Sequence, residues 1–281
     1  MRLLTALTVL ALAVPAAAAE PAPSAAAPGV PAAAAPAPAP AAAGGLTQEQ
    51  SVELLKTIDH NQRNTGDYMA RAYIEQKERD KADVVYEAVI YRRDADQKLM
   101  ILFIKPKTEA GKGYLRIDKN LWLYDPSTGK WERRTEREAI GGTGSKRRDF
   151  DESRLAEEYT PEYVASEKLG AYEVHHLKLT AKEGVDVAYP LMHLWVDKAT
   201  SNVLKSQDYA LSGRLMRTSY TPKWQKTYSE SKKADTYFPA EMRFFDEVDK
   251  ANSTLVKLTA VDLKPLDPNL FTKAWLESKS R

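Results

Sequence analysis

Hydrophobic positions along the chain follow three regimes. From Leu3 to Val14 they form an unbroken uncharged run. From residue 20 to 45 large apolar side chains nearly vanish. Beyond Leu46 they recur periodically, first at helical spacing and then at every second residue. In "LTQEQSVELLKTIDHNQRN" Val52, Leu55 and Ile58 share one helix face. Thr47 and Gln50 have the spacing of a capping box. This predicts one amphipathic helix ending near Asn64-Thr65-Gly66. The segments "YMARAYIEQKER" and "VVYEAVIYRRD" then alternate as strands do, and "KLMILFIKP" is a more completely apolar strand stopped by Pro106. "GYLRIDK", "LWLYDP" and "KWERRT" follow, with "DPSTGK" as a tight turn. A further series runs from "EYVASEKLGAYEVHHLKLTA" to "STLVKLTAVDLKP", and "DPNLFTKAWLE" reads as a short helix. Strands joined by short turns, without intervening ten-residue helices, form an antiparallel meander. The expected class is mostly β (α+β), with helices at the start, after Phe150 and near the end. A twisted sheet of so many strands curls or closes, and a helix can cover its apolar face.

The first two regimes set the domain organisation. Met1-Arg2, the apolar run, Pro15 and the small residues before Glu20 have the layout of a signal peptide over residues 1–19, cleaved after Ala19. The run is too short for an ordinary membrane span. Residues 20–45, mostly Ala and Pro, carry too little to bury and are expected to be a disordered, semi-rigid tether. Residues 46–281 are then the folded domain. The sequence contains no cysteine, which excludes disulfides and thiolate metal sites. A formal net charge of +2 is no polycation and argues against bulk nucleic-acid binding. The expectation is a soluble, exported, periplasmic protein.

Candidate chemistry is sparse. "AIGGTGSKRRDFDESRL", Ala139 to Leu155, has glycines, hydroxyls and three successive cations. The order Gly144-Ser145-Lys146-Arg147 is wrong for a P-loop, and the charged stretch before it is no buried parallel strand. Lys146, Arg147 and Arg148 beside Asp149, Asp151 and Glu152 read as a solvated loop neutralised by its own acids. His175 and His176 are neighbours on a strand and face opposite ways, so they cannot easily share a metal. His60 and His193 are isolated. Glu157-Glu158, Asp246 and Glu247 have no spacing tied to a reaction, and no Gly-x-Ser-x-Gly elbow occurs. No catalytic, metal or cofactor site is therefore read, and the chain is taken as non-enzymatic. What remains is methionine and aromatic content spread over the strands. Met100, Leu102, Trp122, Tyr124, Met192, Leu194 and Met216 are expected to contribute to one apolar concave surface, either a packed core or an adaptable cavity.

Several segments, in order, resemble the bacterial outer-membrane lipoprotein-sorting protein family of LolA-like fold. They are Leu121-Trp122-Leu123-Tyr124 before Pro126, Gly144-Ser145 to Asp149-Phe150, Leu194-Trp195-Val196-Asp197, and Phe271-Thr272 with Leu276. The resemblance spans roughly residues 66 to 276. It implies an antiparallel half-open β-barrel lidded by short helices, LolA/LolB-like, with a cavity for acyl chains. It also implies a soluble periplasmic carrier that moves a lipid or lipoprotein toward the outer membrane, beside an ABC-type exporter permease and an outer-membrane acceptor. The family's Gly-Ser-to-Asp-Phe element makes the 144–150 loop a structural corner. Here it is interrupted by Lys146-Arg147-Arg148, placed at the cavity rim. The alternative on the same fold is a non-transporting envelope binding or sensor module with a filled core.

Overall fold

The computed structural model describes residues 45–280, apart from 64–65, 118–119, 136–137, 142, 147–148 and 150–152. The expected signal peptide, all but the last residue of the expected tether, and Asn64-Thr65 lie outside the described residues. Helix α1 (Gln48–Arg63) starts at the predicted capping box. The Thr47 amide donates to Gln50 Oε1 at 2.8 Å and the Gln50 amide to Thr47 Oγ1 at 3.2 Å.

Thirteen strands follow among the described residues. The first six are β1 (Tyr68–Lys77), β2 (Val84–Arg93), β3 (Lys98–Lys105), β4 (Gly113–Ile117), β5 (Asn120–Asp125) and β6 (Lys130–Arg134). A crossover leads to the short helix α2 (Leu155–Glu158). The second series is β7 (Tyr159–Leu169), β8 (Tyr172–Ala181), β9 (Leu191–Asp197), β10 (Val203–Tyr209), β11 (Leu215–Ser229), β12 (Ala234–Asp246) and β13 (Ser253–Asp262). A 3-10 turn (Pro268–Phe271) and helix α3 (Lys273–Lys279) end the described chain.

All thirteen strands join one antiparallel sheet in the order β6-β5-β4-β3-β2-β1-β13-β12-β11-β10-β9-β8-β7. The sheet does not close: β6 and β7 are its edges. The chain therefore begins at the centre, runs out to one edge, crosses to the other edge and returns to the centre. The meander, the strand-rich class and the few covering helices agree with the sequence expectation.

Period-two alternation gives each strand a concave and a convex side. On the concave side of the first half, Ala70, Ala72, Ile90, Leu99, Ile101 and Phe103 are buried together. In the second half, Leu177, Leu179, Met192 and Leu194 pack under Leu55 and Ile58 of α1. Helix α3 covers the convex side of the first half, where Met100 and Leu115 meet Phe271 and Leu276. Gly113 permits this approach, since a Cβ there would stand 2.5 Å from Leu276 Cδ1. No helix among the described residues is long and apolar enough to cross a membrane.

Candidate functional site

Register brings the concave side chains of the second half into rows. Leu179, Met192, Asp208 and Arg217 stand side by side on β8 to β11, and Leu177, Leu194, Ser206 and Ser219 form the next row. The β9 to β11 members of these rows, with Phe238, Phe244 and Val256 from β12 and β13 and Ile58 from α1, line a cavity of about 450 Å³. That volume is within the range of small-ligand sites. The cavity is amphipathic. Apolar walls come from both halves of the sheet, while Ser145, Asp149, Asp208, Arg217 and the two serines supply polar lining.

Arg217 dominates the polar part. It is 6 % exposed, and its Nη1 and Nη2 donate to the two Asp149 carboxylate oxygens at 2.9 and 2.7 Å. Its guanidinium lies 4.3 Å from the Phe244 ring centroid. Burial pushes the guanidinium pKa down. The charge and hydrogen bonds of Asp149, with Asp208 nearby, outweigh that and hold it above the usual value.

The crossover after β6 is pinned over the concave face. The Gly141 amide donates to Tyr114 Oη at 2.9 Å, and the Gly144 amide to Gln76 Oε1 at 2.9 Å and Thr254 Oγ1 at 2.8 Å. Gly141 has φ +61° and lies against the Phe103 ring, where a Cβ would come within 2.3 Å, so only glycine fits there. Gly144 is equally crowded by Thr254 Oγ1. The glycines thus serve close backbone approach to the sheet. The expected solvated, self-neutralised loop is corrected at two positions. Lys146 turns inward, its Nζ donating to Tyr189 Oη at 2.8 Å. Asp149 gives its carboxylate to Arg217 on β11. Arg147, Arg148, Phe150, Asp151 and Glu152 lie outside the described residues. A second, smaller cavity of about 350 Å³ lies beside this crossover, between Phe103, Tyr114, Leu123 and Gly141.

Asp59, 4 % exposed on α1, ties the end of the crossover down. It accepts from Ser153 Oγ at 2.6 Å and from the amides of Leu155 and Ala156 at 2.9 and 2.8 Å. Asp59→Ala leaves three donors without this acceptor, and a loss of about 1–3 kcal/mol is expected in urea unfolding. An unchanged midpoint would show that α2 stands without α1.

The seven apolar residues singled out from the sequence are not brought to one surface. Met192 and Leu194 line the larger cavity. Met216 falls at a β11 bulge and packs half-buried against their cluster. Met100, Leu102 and Tyr124 face the other way, into the cluster under α3. Trp122 lies beneath Lys273 of α3, with Nζ 4.8 Å from its ring centroid. The residues that sequence reasoning missed are Arg217, Asp208 and the Phe238/Phe244 pair. A cation at a buried strand position was the available signal, and it has no meaning until Asp149 is placed beside it.

Among the described residues, no group of three or more His, Asp or Glu side chains is placed to hold a metal ion. The histidines do form a pair on the convex face of β8 and β9. His176 Nε2 and His193 Nδ1 are 2.8 Å apart, while His175 packs its ring on Tyr163.

A family model described as an uncharacterized protein matches residues 95–278. No curated protein matches the chain. Among solved structures, a putative outer membrane lipoprotein-sorting protein domain from Vibrio parahaemolyticus superposes with a TM-score of 0.69 at 19 % identity, over 82 % of this chain and 100 % of that one. A DUF1329 family protein from Desulfovibrio piger gives 0.69 at 17 % identity, covering 82 % and 98 %. A LolA superfamily protein from Nitrosomonas europaea gives 0.63 at 19 %, covering 80 % and 98 %. The matched segment takes in all strands from β3 to β13, the crossover and all but the last residue of α3, so the chain belongs to this family of uncharacterized proteins, and its fold is LolA-like.

Proposed function

We propose that the protein is a periplasmic carrier that takes up acyl chains of a lipid or lipoprotein in the larger cavity and moves them toward the outer membrane. The observation that carries this reading is the amphipathic cavity, enclosed by a sheet that remains open at both edges. Apolar walls suit acyl methylenes, and the Arg217 end suits the polar part of the same molecule. The lipoprotein-sorting description of the Vibrio structure supports the direction of transport. An ABC-type permease and an outer-membrane acceptor are the partners such a carrier would use. Residues 1–19 would direct export, and residues 20–45 would tether the domain. The test is native mass spectrometry of the exported protein, followed by lipid extraction. A lipid adduct on the wild type that is absent from Leu194→Trp, which fills the cavity, is expected. A lipid-free wild type together with a Leu194→Trp variant destabilised by about 1–3 kcal/mol, the overpacking cost of a filled core, would instead favour the non-transporting binding module.

The tether carries nothing to bury, so a chain beginning at Leu46 should melt within about 2 °C of the exported form, since surface changes usually stay within roughly 0.5 kcal/mol. Differential scanning calorimetry decides this, and a larger drop would mean that residues 20–45 pack.

A further inference from the structure

Three hairpins turn at one end of the second half of the sheet, joining β8 to β9, β10 to β11 and β12 to β13. Register sets them side by side. Thr180 and Tyr209 both stand opposite Leu191, Tyr209 stands opposite Leu215, and Arg217 opposite Asp246. Each loop holds one large apolar side chain out in solvent. Leu211 is 90 % exposed, and Val185 and Val248 are exposed as well. Turn tips favour Gly, Asn, Asp, Ser and Pro, which serve the tight backbone, and a leucine does nothing there for the turn. A loose backbone is not the cause of the exposure. The Ala210 amide donates to the Arg214 carbonyl and the Gly213 amide to the Ala210 carbonyl, both at 2.9 Å, so Leu211 stands on a closed turn. The Val248 amide donates to Asp246 Oδ1 at 2.8 Å. The same end of the sheet bounds the larger cavity. Asp186, Val187 and Ala188 of the first loop line it, as do Asp208 and Arg217 near the ends of their strands.

We infer that these three tips are an interfacial anchor that sets this end of the cavity against a phospholipid bilayer. A protein partner buries a contiguous patch with a well-packed apolar centre. Here single apolar side chains stand on separate tips, each loop also carrying exposed charge, as at Lys182, Glu183, Arg214 and Lys250. A fluid bilayer closes around isolated side chains, while charged neighbours stay at the level of the headgroups. Both signs of charge are present on the tips, so apolar insertion carries the contact and attraction to anionic lipid does not. Leu211, the most exposed, is the leading anchor. The purpose of the anchor rests on the acyl-chain uptake proposed above: a chain that passes from a bilayer into a cavity touching it avoids exposing its methylenes to water.

The experiment is flotation of the exported protein with vesicles of phosphatidylcholine alone, at low and high salt. The wild type should float at both. Leu211→Ser should lower vesicle affinity about tenfold, the factor that goes with losing the burial of one leucine. Val185→Ser and Val248→Ser should each lower it by less. Leu211→Trp should float, with its added emission quenched by brominated acyl chains. Tyr228→Ser, exposed on β11 near the β11–β12 turn at the opposite end of the sheet, should bind as the wild type does. Leu211 is in solvent, so its variants should melt with the wild type, which excludes unfolding as the cause of a loss. Lipid delivered in detergent micelles separates the anchor from the cavity. Leu211→Ser should take it up normally. A wild type that floats through Leu211 and takes up no lipid keeps the anchor and removes the carrier. Absence of flotation, unchanged flotation in Leu211→Ser, an equal loss in Tyr228→Ser, or an unquenched Leu211→Trp overturns the anchor and leaves the carrier reading to its own test.

Discussion

Arg217→Ala is expected to destabilise the protein by about 3–5 kcal/mol in urea unfolding, the cost of removing one partner from a buried ion pair. Arg217 is 6 % exposed and Asp208, on the neighbouring strand, is 3 % exposed. Without the guanidinium, the Asp149 carboxylate loses its bidentate contact beside the buried Asp208 at the cavity end. The crossover also loses its hold on β11, so the variant should be cleaved faster by protease within the crossover. Replacing both partners by apolar side chains, Arg217→Met with Asp149→Leu, should recover only part of the loss, because Asp208 stays buried. A loss below about 1 kcal/mol in Arg217→Ala would show that solvent reaches the pair.

Leu276→Ala should cost about 2–5 kcal/mol, in the range for a fully buried leucine. Leu276 is 0 % exposed, seated over Gly113 and packed with Met100, Leu115 and Phe271. Around it, the Trp131 indole donates to Glu277 Oε1 at 2.7 Å, and Tyr91 meets Trp275 edge-on at 5.5 Å. These contacts keep α3 docked, so the cavity left by the missing methyls cannot collapse easily. Thermal and urea unfolding should both move. A near-neutral result would mean that α3 frays from the sheet in solution. Because α3 lies on the convex side, the lipid uptake proposed for the cavity should be unaffected in the folded fraction.

The strands are legible in the sequence because alternation over short segments bounded by turn residues matches the pleat of a strand and no helical period. The side each strand presents is not legible. In "KLMILFIKP", Leu99, Met100, Ile101 and Phe103 are each at most 2 % exposed, because β3 is covered by the concave core on one side and α3 on the other. An apolar run of that kind reports double coverage and hides which residues face which partner. The concave surface expected for Met100 and Leu102 fails for that reason. The cavity's polar end is hidden by distance along the chain. Arg217 and Asp149 are 68 residues apart, and no local pattern links them. The histidines show a third case. His175 and His176 are adjacent in the sequence, whereas the contact that forms is between His176 and His193 on the next strand.

The strand order has a kinetic consequence. Each half of the sheet is a run of neighbouring hairpins that close short loops. The seam between β1 and β13 joins residues from opposite ends of the described chain, such as Tyr73 with Lys257 and Ile74 with Val256. Closing a long loop is entropically costly before its contacts exist, and topologies rich in distant pairings fold slowly. The two halves can therefore form early as separate meanders, and the seam sets the pace at which the cavity, whose walls need both, comes into being.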